Sequence, residues 1–440
     1  MAGIAELATQ LGHRVTGSDT NVYPPMSTFL CDRGISIYEG YDSEQLDPAP
    51  DLVLIGNALS RGNPAVEHIL SEHLPYTSGP QWLAEEMLNQ THVIAVSGTH
   101  GKTTTTSILT FILDQCGLDP GYLIGGIAQN FDRPAHLGSG RYFVIEADEY
   151  DTAFFDKRSK FIHYRPDTLI INNLEFDHAD IFPDLDAIKR QFHHLIRTVP
   201  ANGLVIYPAA DPTIEDLLKQ GCWSRQSSFG ESSLAEWQIT DPDTSGFKQF
   251  ALGISDTERM PVHSPLLGRH NAFNATAALI AAVDVGVPLA DAVTALRSFT
   301  GVKRRLEIVG VINEITVYDD FAHHPTAIRA TLSALRASVE TGRIICVLEP
   351  RSNTMRLGIH APLIAEALIP ADIIYIYCDS TLKWDPRSTA NDDGENCHFL
   401  NSVEEIIQSV ASLAKPGDQI VIMSNSGFAD IRGRLLQALK

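Results

Sequence analysis

Short apolar runs alternate with helical patterns through the first 90 residues. Strands are expected where aliphatic and β-branched residues cluster, and helices where apolar residues recur every three or four positions. The predicted strands span 14–17, 35–38 and 52–55, and the predicted helices span 2–11 and 65–74. Because strands that alternate with helices form parallel sheets covered by helices, this segment is predicted to be a small α/β domain.

The same alternation continues to the end of the chain. Between residues 91 and 300 it predicts strands at 93–97, 142–147, 168–173 and 203–207, and helices over 271–284 and 289–299. Beyond Gly301 it predicts strands at 307–318, 343–348, 372–377 and 419–423, and helices near 325–339, 403–414 and 428–439. The predicted fold class is therefore α/β, with three domains in series at 1–90, 91–300 and 301–440.

The stretch 93–106 is the most specific motif of the chain. An apolar strand stops at Gly98, and a Gly-Lys-Thr sequence that ends in Thr103 opens a helical segment. Glycines let backbone N–H groups turn toward a phosphate, the helix N-terminus adds a positive dipole end, and Lys102 supplies a cation. Thr103 places a hydroxyl where a Mg²⁺ bridging two phosphates would sit. The usual pattern has a glycine at the position of Val96, so the motif is a variant, and an ordinary strand–helix turn is the alternative.

Two further strands end in groups that bind metal ions. The strand at 142–147 runs into four carboxylates, of which Glu146 is the natural Mg²⁺ ligand. The strand at 168–173 is followed by a polar segment that ends in His178, a candidate metal ligand or phosphate contact. Because the carboxyl ends of parallel strands meet at one crevice, these groups are expected near the phosphate loop. A solvated acidic turn and a structural histidine are the alternatives.

Two other polar segments lie at helix starts. In the segment 268–274, Asn271 and Asn274 are predicted on one helical face, where side-chain amides suit the edge of a purine. A helix N-cap is the alternative for these asparagines. The segment 317–325 closes a strand with two acids and two histidines, and it either contacts a ribose or forms a turn into a helix.

The composition excludes several classes of protein. Hydrophobic residues make up 44% and charged residues 20%, as in ordinary globular domains, and no apolar run is long enough to span a membrane. The net charge of −21 argues against a nucleic-acid partner. The six scattered cysteines and the lack of a secretory signal predict a cytoplasmic protein with reduced thiols. No feature of the sequence indicates an oligomeric state.

In this order and at these spacings, the motifs resemble those of the Mur ligase family of ATP-dependent amide-bond-forming enzymes. The resemblance runs from about residue 2 to residue 440, and its carriers are the segments 98–104, 146–149, 173–178, 270–274, 304–305 and 319–325. It implies a Rossmann-like UDP-binding domain, a central P-loop ATPase domain and a Rossmann-like C-terminal domain that brings the incoming amine. It also implies that ATP phosphorylates a carboxylate of a UDP-linked substrate before an amine attacks the acyl phosphate.

The resemblance assigns a role to each matching residue. The ATP phosphates are expected at Gly98, Thr99, His100, Gly101, Lys102, Thr103 and Thr104, and adenine and ribose at His270, Asn271, Asn274 and Asp320. Mg²⁺ is expected at Thr103, Glu146 and His178. Arg305 is expected to reach the γ-phosphate and to form the catalytic set with Lys102, Glu146 and His178. The UDP-sugar is expected at Ser18, Asp19 and Asn57, and the incoming amine near Arg351.

Within the family, the Glu-Ala-Asp-Glu and double-histidine boxes resemble members that act on UDP-N-acetylmuramate. The basic segment 152–165 and the segment 348–357 resemble members that attach the tripeptide L-Ala-γ-D-Glu-meso-diaminopimelate in peptidoglycan recycling. A tripeptide has carboxylates that alanine lacks, and Arg351, Arg356 or the loop 157–160 is expected to pair with them. Addition of L-alanine is the nearest alternative, and a nucleotide-binding inactive paralogue is a second.

Two departures from the family pattern stand out. The chain opens in a helix-like stretch, so the first strand and glycine turn expected of the UDP-binding domain are missing from the sequence, which is expected to weaken UDP binding. Some members carry a carbamylated lysine where this chain has His193, so no such lysine is expected here.

Overall fold

The chain forms two compact units in the computed structural model, which describes residues 1–20, 22, 26–131, 133–254, 258–339, 341–389 and 396–440. The first unit consists of Met1–Leu174, Asp186–Gln238 and Ala275–Leu296. The second consists of Glu175–Leu185, Ile239–Asn274 and Arg297–Lys440. The chain passes between the units several times, and the expected domain boundaries near residues 90 and 300 stay a prediction.

The N-terminal part of the first unit contains two separate pairs of parallel strands. Its elements are α1 (Ala2–Gln10), β1 (Thr16–Asp19), α2 (Met26–Asp32), β2 (Ser36–Glu39), β3 (Val53–Ile55), α3 (Pro64–Ser71), β4 (Tyr76–Ser78) and α4 (Gly79–Glu86). β1 pairs with β2, and β3 pairs with β4. The three predicted strands are present and begin within two residues of their expected starts. The helix predicted at 65–74 is α3, which Asn63 caps ahead of Pro64.

A larger sheet occupies the rest of the first unit. Its elements are β5 (His92–Ser97), α5 (Lys102–Gln115), β6 (Gly121–Leu123), β7 (Ala135–His136), β8 (Tyr142–Glu146), β9 (Asp151–Ala153), β10 (Asp156–Ser159), β11 (Thr168–Ile171), α6 (Leu185–Ile196), β12 (Leu204–Pro208), α7 (Pro212–Lys219), β13 (Arg225–Gly230) and β14 (Trp237–Thr240). The strand order runs β13-β12-β11-β5-β8-β6-β7, and only the edge pair β6–β7 is antiparallel in this run. β9 and β10 form a separate antiparallel hairpin.

The central strands of this sheet each contain a continuous apolar stretch. Residues 93–96 of β5, 143–145 of β8 and 169–171 of β11 are almost completely buried. Parallel strands that are covered on both faces have this continuous pattern, because helices pack above and below them. The carboxyl ends of β5, β8 and β11 therefore lie side by side, which places the residues that follow each strand along one edge of the sheet.

The second unit contains an antiparallel pair of strands and also a six-stranded sheet. Its elements are β15 (Gln249–Ile254), β16 (Met260–His263), β17 (Glu307–Ile312), β18 (Ile315–Asp320), α10 (Pro325–Ser338), β19 (Ile344–Leu348), α11 (Asn353–Leu357), α12 (Ala361–Leu368), β20 (Ile373–Tyr377), β21 (Cys397–Leu400), α13 (Val403–Leu413), β22 (Gln419–Met423) and α14 (Ile431–Ala438). The antiparallel pair is β15 with β16. The six-stranded sheet begins with β17 and has the order β17-β18-β22-β19-β20-β21, and only β17 runs antiparallel to its neighbour. The helix α8 (Arg269–Asp284) begins in the second unit and continues into the first, where α9 (Leu289–Leu296) follows.

The single strand predicted at 307–318 is wrong, because this segment is the hairpin of β17 and β18. Asn313 and Glu314 have φ values of 50° and 64° and make a two-residue turn. Turns with two positive φ values match the twist of paired strands, and asparagine tolerates them well. Glycine usually marks such a turn, and its absence hid the hairpin in the sequence.

Among the described residues, every helix is too short or too polar to cross a membrane.

Candidate active site

The loop between β5 and α5 is the centre of the candidate site in the first unit. Gly98 and Gly101 have φ values of 128° and 80°, in the region that favours glycine. A Cβ atom on Gly98 would lie 3.0 Å from the carbonyl oxygen of Asn173, so a side chain would push the loop away from β11. The predicted sequence of strand, glycine turn and helix is present, with α5 beginning at Lys102.

The side chain of Asn173 holds this loop from the end of β11. Its Oδ1 accepts a hydrogen bond from the His100 N–H at 2.7 Å, and its Nδ2 donates to the His100 carbonyl at 3.1 Å. The Thr99 N–H donates to the Asn173 carbonyl at 3.2 Å. Asn172 adds a bond from its Nδ2 to the Thr105 hydroxyl at 3.0 Å. The two asparagines therefore fix the path of the loop, a role that sequence analysis did not predict.

Lys102 is held in the loop by an acidic partner. Its Nζ donates to the Gly98 carbonyl at 2.6 Å and lies 3.2 Å from the Glu149 carboxylate. The Lys102 side chain is 14% exposed and that of Glu149 only 2%. Burial alone would lower the pKa of Lys102, but Glu149, Asp148 and Glu146 outweigh it and raise the pKa above its ordinary value. Lys102 thus stays a cation, as phosphate binding requires.

Glu146 lies at the carboxyl end of β8, opposite Val96 on the neighbouring strand β5. Its Oε1 accepts a hydrogen bond from the Gly125 N–H at 2.8 Å, and a Cβ on Gly125 would lie 2.9 Å from Oε2. Glycine at position 125 therefore makes room for the carboxylate. Thr103, the predicted hydroxyl ligand, is buried in the first turn of α5. The oxygen donors on this sheet edge are of the kind that hard cations prefer.

His178 lies in the second unit and has a left-handed backbone conformation, with a φ of 56°. Its N–H donates to Oδ1 of Asp177 at 2.8 Å, and Thr354 donates its hydroxyl to the same oxygen at 2.7 Å. The ring of His323 lies 3.9 Å from the other oxygen. Burial would raise the pKa of Asp177, but His178, Thr354 and His323 outweigh it and hold the pKa well below its usual range. Asp177 is therefore ionised and accepts a bond from the backbone of His178. The sequence identified Asp177 only as part of a motif.

The predicted adenine contacts lie at the start of α8. Asn274 donates from Nδ2 to Oδ1 of Asn271 at 3.1 Å, so the two amides share one helical face as expected. Asn271 in turn donates to the Leu267 carbonyl at 2.7 Å. Gly268, with a φ of 99°, lies so close to His270 that a Cβ would be 2.7 Å from the ring. The three predicted side chains are thus organised within the second unit by this helix start.

Asp320 is more enclosed than a ribose contact would suggest. Its side chain is 4% exposed, Oδ2 accepts from the Leu306 N–H at 2.6 Å, and Oδ1 accepts from the Ala322 N–H at 2.8 Å. Burial raises the pKa of this carboxyl group despite those donors and nearby Arg305. The guanidinium carbon of Arg305 lies 5.1 Å from the ring centroid of Phe321. Asp320 therefore shapes the turn that carries Arg305.

Arg304, the neighbour of Arg305, makes its polar contacts within the second unit. Its Nη2 donates to the carbonyls of Ser424 and Ser426 at 2.6 and 2.7 Å. Its Nε lies 3.3 Å from the Asp319 carboxylate. Burial lowers the pKa of Arg304, and Asp319 opposes that shift. Of the two arginines in the motif, Arg304 is a structural cross-link, which leaves Arg305 as the candidate for the γ-phosphate.

Arg351 follows β19 at the carboxyl edge of the second sheet. Its side chain is 45% exposed, and Nη1 lies 3.4 Å from the Asp379 carboxylate. The Thr381 backbone N–H lowers the pKa of Asp379 most, and Arg351 and Arg356 add to that effect. An exposed guanidinium with one long contact to a carboxylate is positioned to accept a second anion.

The predicted UDP-sugar residues lie at the carboxyl ends of strands in the first unit. The Ser18 hydroxyl donates to Gln45 Oε1 at 2.7 Å, and the Tyr41 hydroxyl donates to Asp19 at 2.9 Å. Both Ser18 and Asp19 end β1, and Asn57 follows β3. These positions belong to the two separate strand pairs. Parallel sheets bind ligands at such strand ends, so the prediction keeps its physical basis.

The structure distributes the predicted residues over both units. The first unit holds Ser18, Asp19, Asn57, Gly98, Thr99, His100, Gly101, Lys102, Thr103, Thr104 and Glu146. The second holds His178, His270, Asn271, Asn274, Arg305, Asp320 and Arg351. Within the first unit the fold brings the phosphate loop and Glu146 together. Glu149 and Asn173 are additional side chains at that edge whose contacts sequence analysis did not assign.

Three family models match the chain in series. The model of the Mur ligase family, catalytic domain, matches residues 1–91, that of the Mur ligase middle domain matches residues 96–282, and that of the Mur ligase, glutamate ligase domain, matches residues 304–426.

Full-length relatives are similar over nearly their whole length. The chain is 53% identical over 444 residues to the UDP-N-acetylmuramate–L-alanyl-γ-D-glutamyl-meso-2,6-diaminoheptandioate ligase of Haemophilus influenzae, covering 100% of this chain and 97% of that protein. It is 52% identical over 441 residues to the ligase of the same name from Escherichia coli, covering 100% and 96%. It is 32% identical over 457 residues to the UDP-N-acetylmuramate–L-alanine ligase of Syntrophomonas wolfei, covering 100% and 95%.

A solved structure agrees with these relatives. The murein peptide ligase of Psychrobacter arcticus superposes with a TM-score of 0.77 at 46% identity, covering 100% of this chain and 96% of that one. The predicted α/β fold with three domains in series is confirmed by the family models and by this likeness. An ATP-binding loop, matching domains and half-identical relatives along the entire length lead to one conclusion. The chain belongs to the Mur ligase family and is an ATP-dependent ligase.

Proposed function

We propose that the protein joins the tripeptide L-Ala-γ-D-Glu-meso-diaminopimelate to UDP-N-acetylmuramate, in an ATP-dependent reaction of peptidoglycan recycling. The observation that carries this proposal is the identity of 53% over the full chain with a ligase named for this reaction, against 32% with an alanine-adding ligase. Both comparisons cover the whole chain, so the difference in identity reflects divergence along its entire length. Addition of L-alanine is the alternative.

The phosphate loop supports the ATP-dependent half of the proposal. The glycines at 98 and 101 shape the loop, Asn173 fixes its path, and the charged Lys102 lies within it. A tetrahedral or metaphosphate-like transition state carries negative charge, and a preorganised cation that needs no rearrangement stabilises it. We expect Lys102 to release Glu149 in favour of the β- and γ-phosphates and to stay protonated throughout.

The donor set at the same edge fits a divalent cation, which we propose to be Mg²⁺. The Glu146 carboxylate has room because Gly125 has no side chain, and Thr103 contributes a hydroxyl in the first turn of α5. His178 is proposed as a further ligand, and its backbone N–H donates to the ionised Asp177. When bound, a divalent cation neutralises charge on the phosphate oxygens. The protein side chains then need to supply only orientation and the remaining positive charge.

Arg351 supports the choice of a peptide over alanine. The tripeptide carries several carboxylates, whereas alanine carries one, so a peptide site requires additional cations. Arg351 is half exposed at the carboxyl edge of the second sheet, and its contact with Asp379 keeps the guanidinium in place. We expect it to bind a carboxylate of the incoming tripeptide. The cytoplasm is the proposed compartment, and the six cysteines, all free thiols, support a reducing environment.

Phosphate release in the presence of UDP-N-acetylmuramate and ATP tests the proposal. The purified full chain is supplied with either L-alanine or the tripeptide. Release with the tripeptide at a kcat/KM at least about tenfold above that with alanine is expected from the additional charge-assisted contact of Arg351. Release with alanine alone would identify the alanine-adding reaction instead. Release with neither, by protein that still binds ATP, would favour an inactive paralogue.

A further inference from the structure

The hairpin of β9 and β10 neutralises most of its own positive charge. Lys157 lies 2.6 Å from Asp151, and Arg158 makes two bonds to Asp156, at 2.9 and 2.7 Å. His163 lies 3.0 Å from the same Asp156 carboxylate. The basic segment that sequence analysis considered for the peptide carboxylates is therefore largely paired within itself. These paired cations are poor candidates for binding another anion.

Lys160 is the exception in this segment. It is half-buried, and its ammonium lies 5.5 Å from the ring centroid of Tyr150. Across the described parts of the chain, no carboxylate lies within ion-pair distance of it. The aromatic ring stabilises an ammonium but does not cancel its charge. In a protein with a net charge of −21, a half-buried cation without a carboxylate partner requires an explanation.

The hairpin places Lys160 beside the N-terminal strand pairs. Phe155 at the hairpin tip packs edge-on against Tyr76 of β4, with ring centroids 5.1 Å apart. The short helical turn Lys160–His163 packs against α4, which follows β4 directly. Tyr76 is the first residue of β4, so the hairpin tip lies at the amino end of the β3–β4 pair. The turn that contains Lys160 contacts α4, which begins at the carboxyl end of β4.

Met1 packs close to the ends of strands in the same part of the first unit. The Met1 side chain packs where β3 ends, since a Cβ on Gly56 would lie 3.6 Å from its Cγ. A Cβ on Gly79, the first residue of α4, would lie 3.5 Å from the Met1 Sδ. Met1 therefore packs both at the end of β3 and at the start of α4, the helix that the turn with Lys160 contacts. Ligands of parallel sheets bind at such ends.

The base of the same hairpin touches the phosphate-loop edge. The Ser159 hydroxyl donates to the Glu149 carbonyl at 2.6 Å, and Glu149 is the partner of Lys102. The Lys160 N–H donates to the Tyr150 carbonyl at 2.9 Å. One short segment therefore connects the phosphate-loop edge with α4, the helix that begins at the carboxyl end of β4, and Lys160 lies in this segment.

We propose that Lys160 binds an anionic group of the UDP-sugar, either its diphosphate or the carboxylate that is to be activated. The inference rests on the proposed function, since it assigns a residue to that substrate. A half-buried ammonium with no carboxylate partner gains a charge-assisted bond when such a group arrives and loses little hydration in doing so. The neutralised Lys157, in the same hairpin, lacks this capacity and serves as the matched control.

Equilibrium binding to the full chain tests the assignment with three ligands: UDP-N-acetylmuramate, UDP-N-acetylglucosamine and UDP. Lys160→Met is expected to raise the Kd for UDP-N-acetylmuramate about tenfold or more, as loss of a charge-assisted bond does. Lys160→Arg should recover part of the affinity, Lys157→Met should change it less than about twofold, and ATP binding should be unchanged in all three. An equal loss for all three ligands assigns Lys160 to the diphosphate, and a loss confined to UDP-N-acetylmuramate assigns it to the carboxylate.

Unchanged affinity of Lys160→Met, or an equal loss in Lys157→Met, overturns the assignment while leaving the ligase reaction intact. The proposed function can also fail while the assignment of Lys160 holds. If the wild-type protein binds the UDP ligands through Lys160 but ligates neither alanine nor tripeptide, the site stands and the proposed function falls. Thermal unfolding of each variant shows whether a lost affinity reflects a lost fold.

Discussion

At the scale of single residues, the candidate site contains buried charges that are held by donors or by an opposite charge. Lys102 forms an ion pair with Glu149, and Asp177 accepts bonds from the His178 N–H and the Thr354 hydroxyl. Removing one member of such a pair leaves the other charge buried, which costs more than the pair contributed. Effects on stability and on activity can therefore be separated by single and double substitutions.

Lys102→Met is expected to reduce ligation at least about a hundredfold, because a preorganised cation for the transferred phosphate is lost. The same change should destabilise the protein by about 3 kcal/mol, since Glu149 is left buried without its partner. Phosphate release and urea unfolding measure the two effects. The double variant Lys102→Met/Glu149→Gln should recover most of the stability and none of the activity. Near wild-type ligation by the single variant would refute the phosphate-loop assignment.

Asp177→Asn is expected to show a pH-dependent loss of stability. The folded-state pKa of Asp177 is lowered from 3.8, so its contribution is fully present above that pH and disappears as the pH falls through the lower folded-state value. The variant should therefore be less stable than wild type by about 1–3 kcal/mol at pH 7 and at pH 5. The difference should shrink below about pH 4. Urea unfolding at these pH values checks the trend, and a difference independent of pH would show that the carboxylate is not the stabilising species.

Arg351→Ala is expected to raise the KM for the tripeptide about tenfold or more and to leave the KM for ATP nearly unchanged, because one peptide carboxylate loses its partner. Arg387→Ala is a matched control, since Arg387 also lies 3.4 Å from an aspartate, Asp385, but is more exposed. Steady-state kinetics with each substrate varied in turn measure both constants. Equal losses for tripeptide and ATP would remove Arg351 from the peptide site.

At the scale of elements, the strand–loop–helix unit of β5 and α5 shows how much the sequence predicts. The loop, its glycines and Lys102 were predictable because the motif lies within fourteen consecutive residues. The contacts that hold it were not. Glu149 is 47 positions from Lys102, and Asn173 is 73 positions from His100. These pairings depend on β8 and β11 flanking β5, and hydrophobic periodicity carries no information about strand order.

The same limit explains the errors at this scale. β17 and β18 were predicted as one strand because their turn lacks glycine, and the hairpin of β9 and β10 was taken for a loop because its sequence is mostly polar. Polar hairpins are stabilised by pairing and by salt bridges, neither of which has an apolar period. Two predicted helices were easier, since α3 and α10 each begin with a capping residue followed by proline. The helix α7 has the same start but was not predicted.

Gly98→Ala is expected to inactivate the enzyme by displacing the phosphate loop, because the residue has a φ of 128° and its Cβ would lie 3.0 Å from the Asn173 carbonyl. Gly117→Ala is the matched control at the other end of α5. Gly117 has a φ of 78°, but nothing lies within 4 Å of its Cβ position. Both changes should cost about 1 kcal/mol of backbone strain. Phosphate release should fall only for Gly98→Ala, and equal activity of the two variants would argue against close packing of the loop.

At the scale of the whole molecule, an acidic protein is proposed to bind two polyanions, ATP and a UDP-sugar. With a net charge of −21, general attraction does not draw these ligands in. Binding instead depends on a few local cations. Lys102 opens α5, whereas Lys160 follows β10. The two ligands should therefore respond independently to substitution of the two lysines.

Ligand-induced stabilisation measures this independence. A ligand at a hundred times its Kd stabilises the folded state by about 2.7 kcal/mol. In the wild-type protein, ATP and UDP-N-acetylmuramate should each raise the Tm, and the two shifts should be close to additive. Lys102→Met should lose the shift with ATP and keep the shift with UDP-N-acetylmuramate, whereas Lys160→Met should show the reverse. If either single substitution abolished both shifts, the two anions would share one site, and the separate assignment of these lysines would fail.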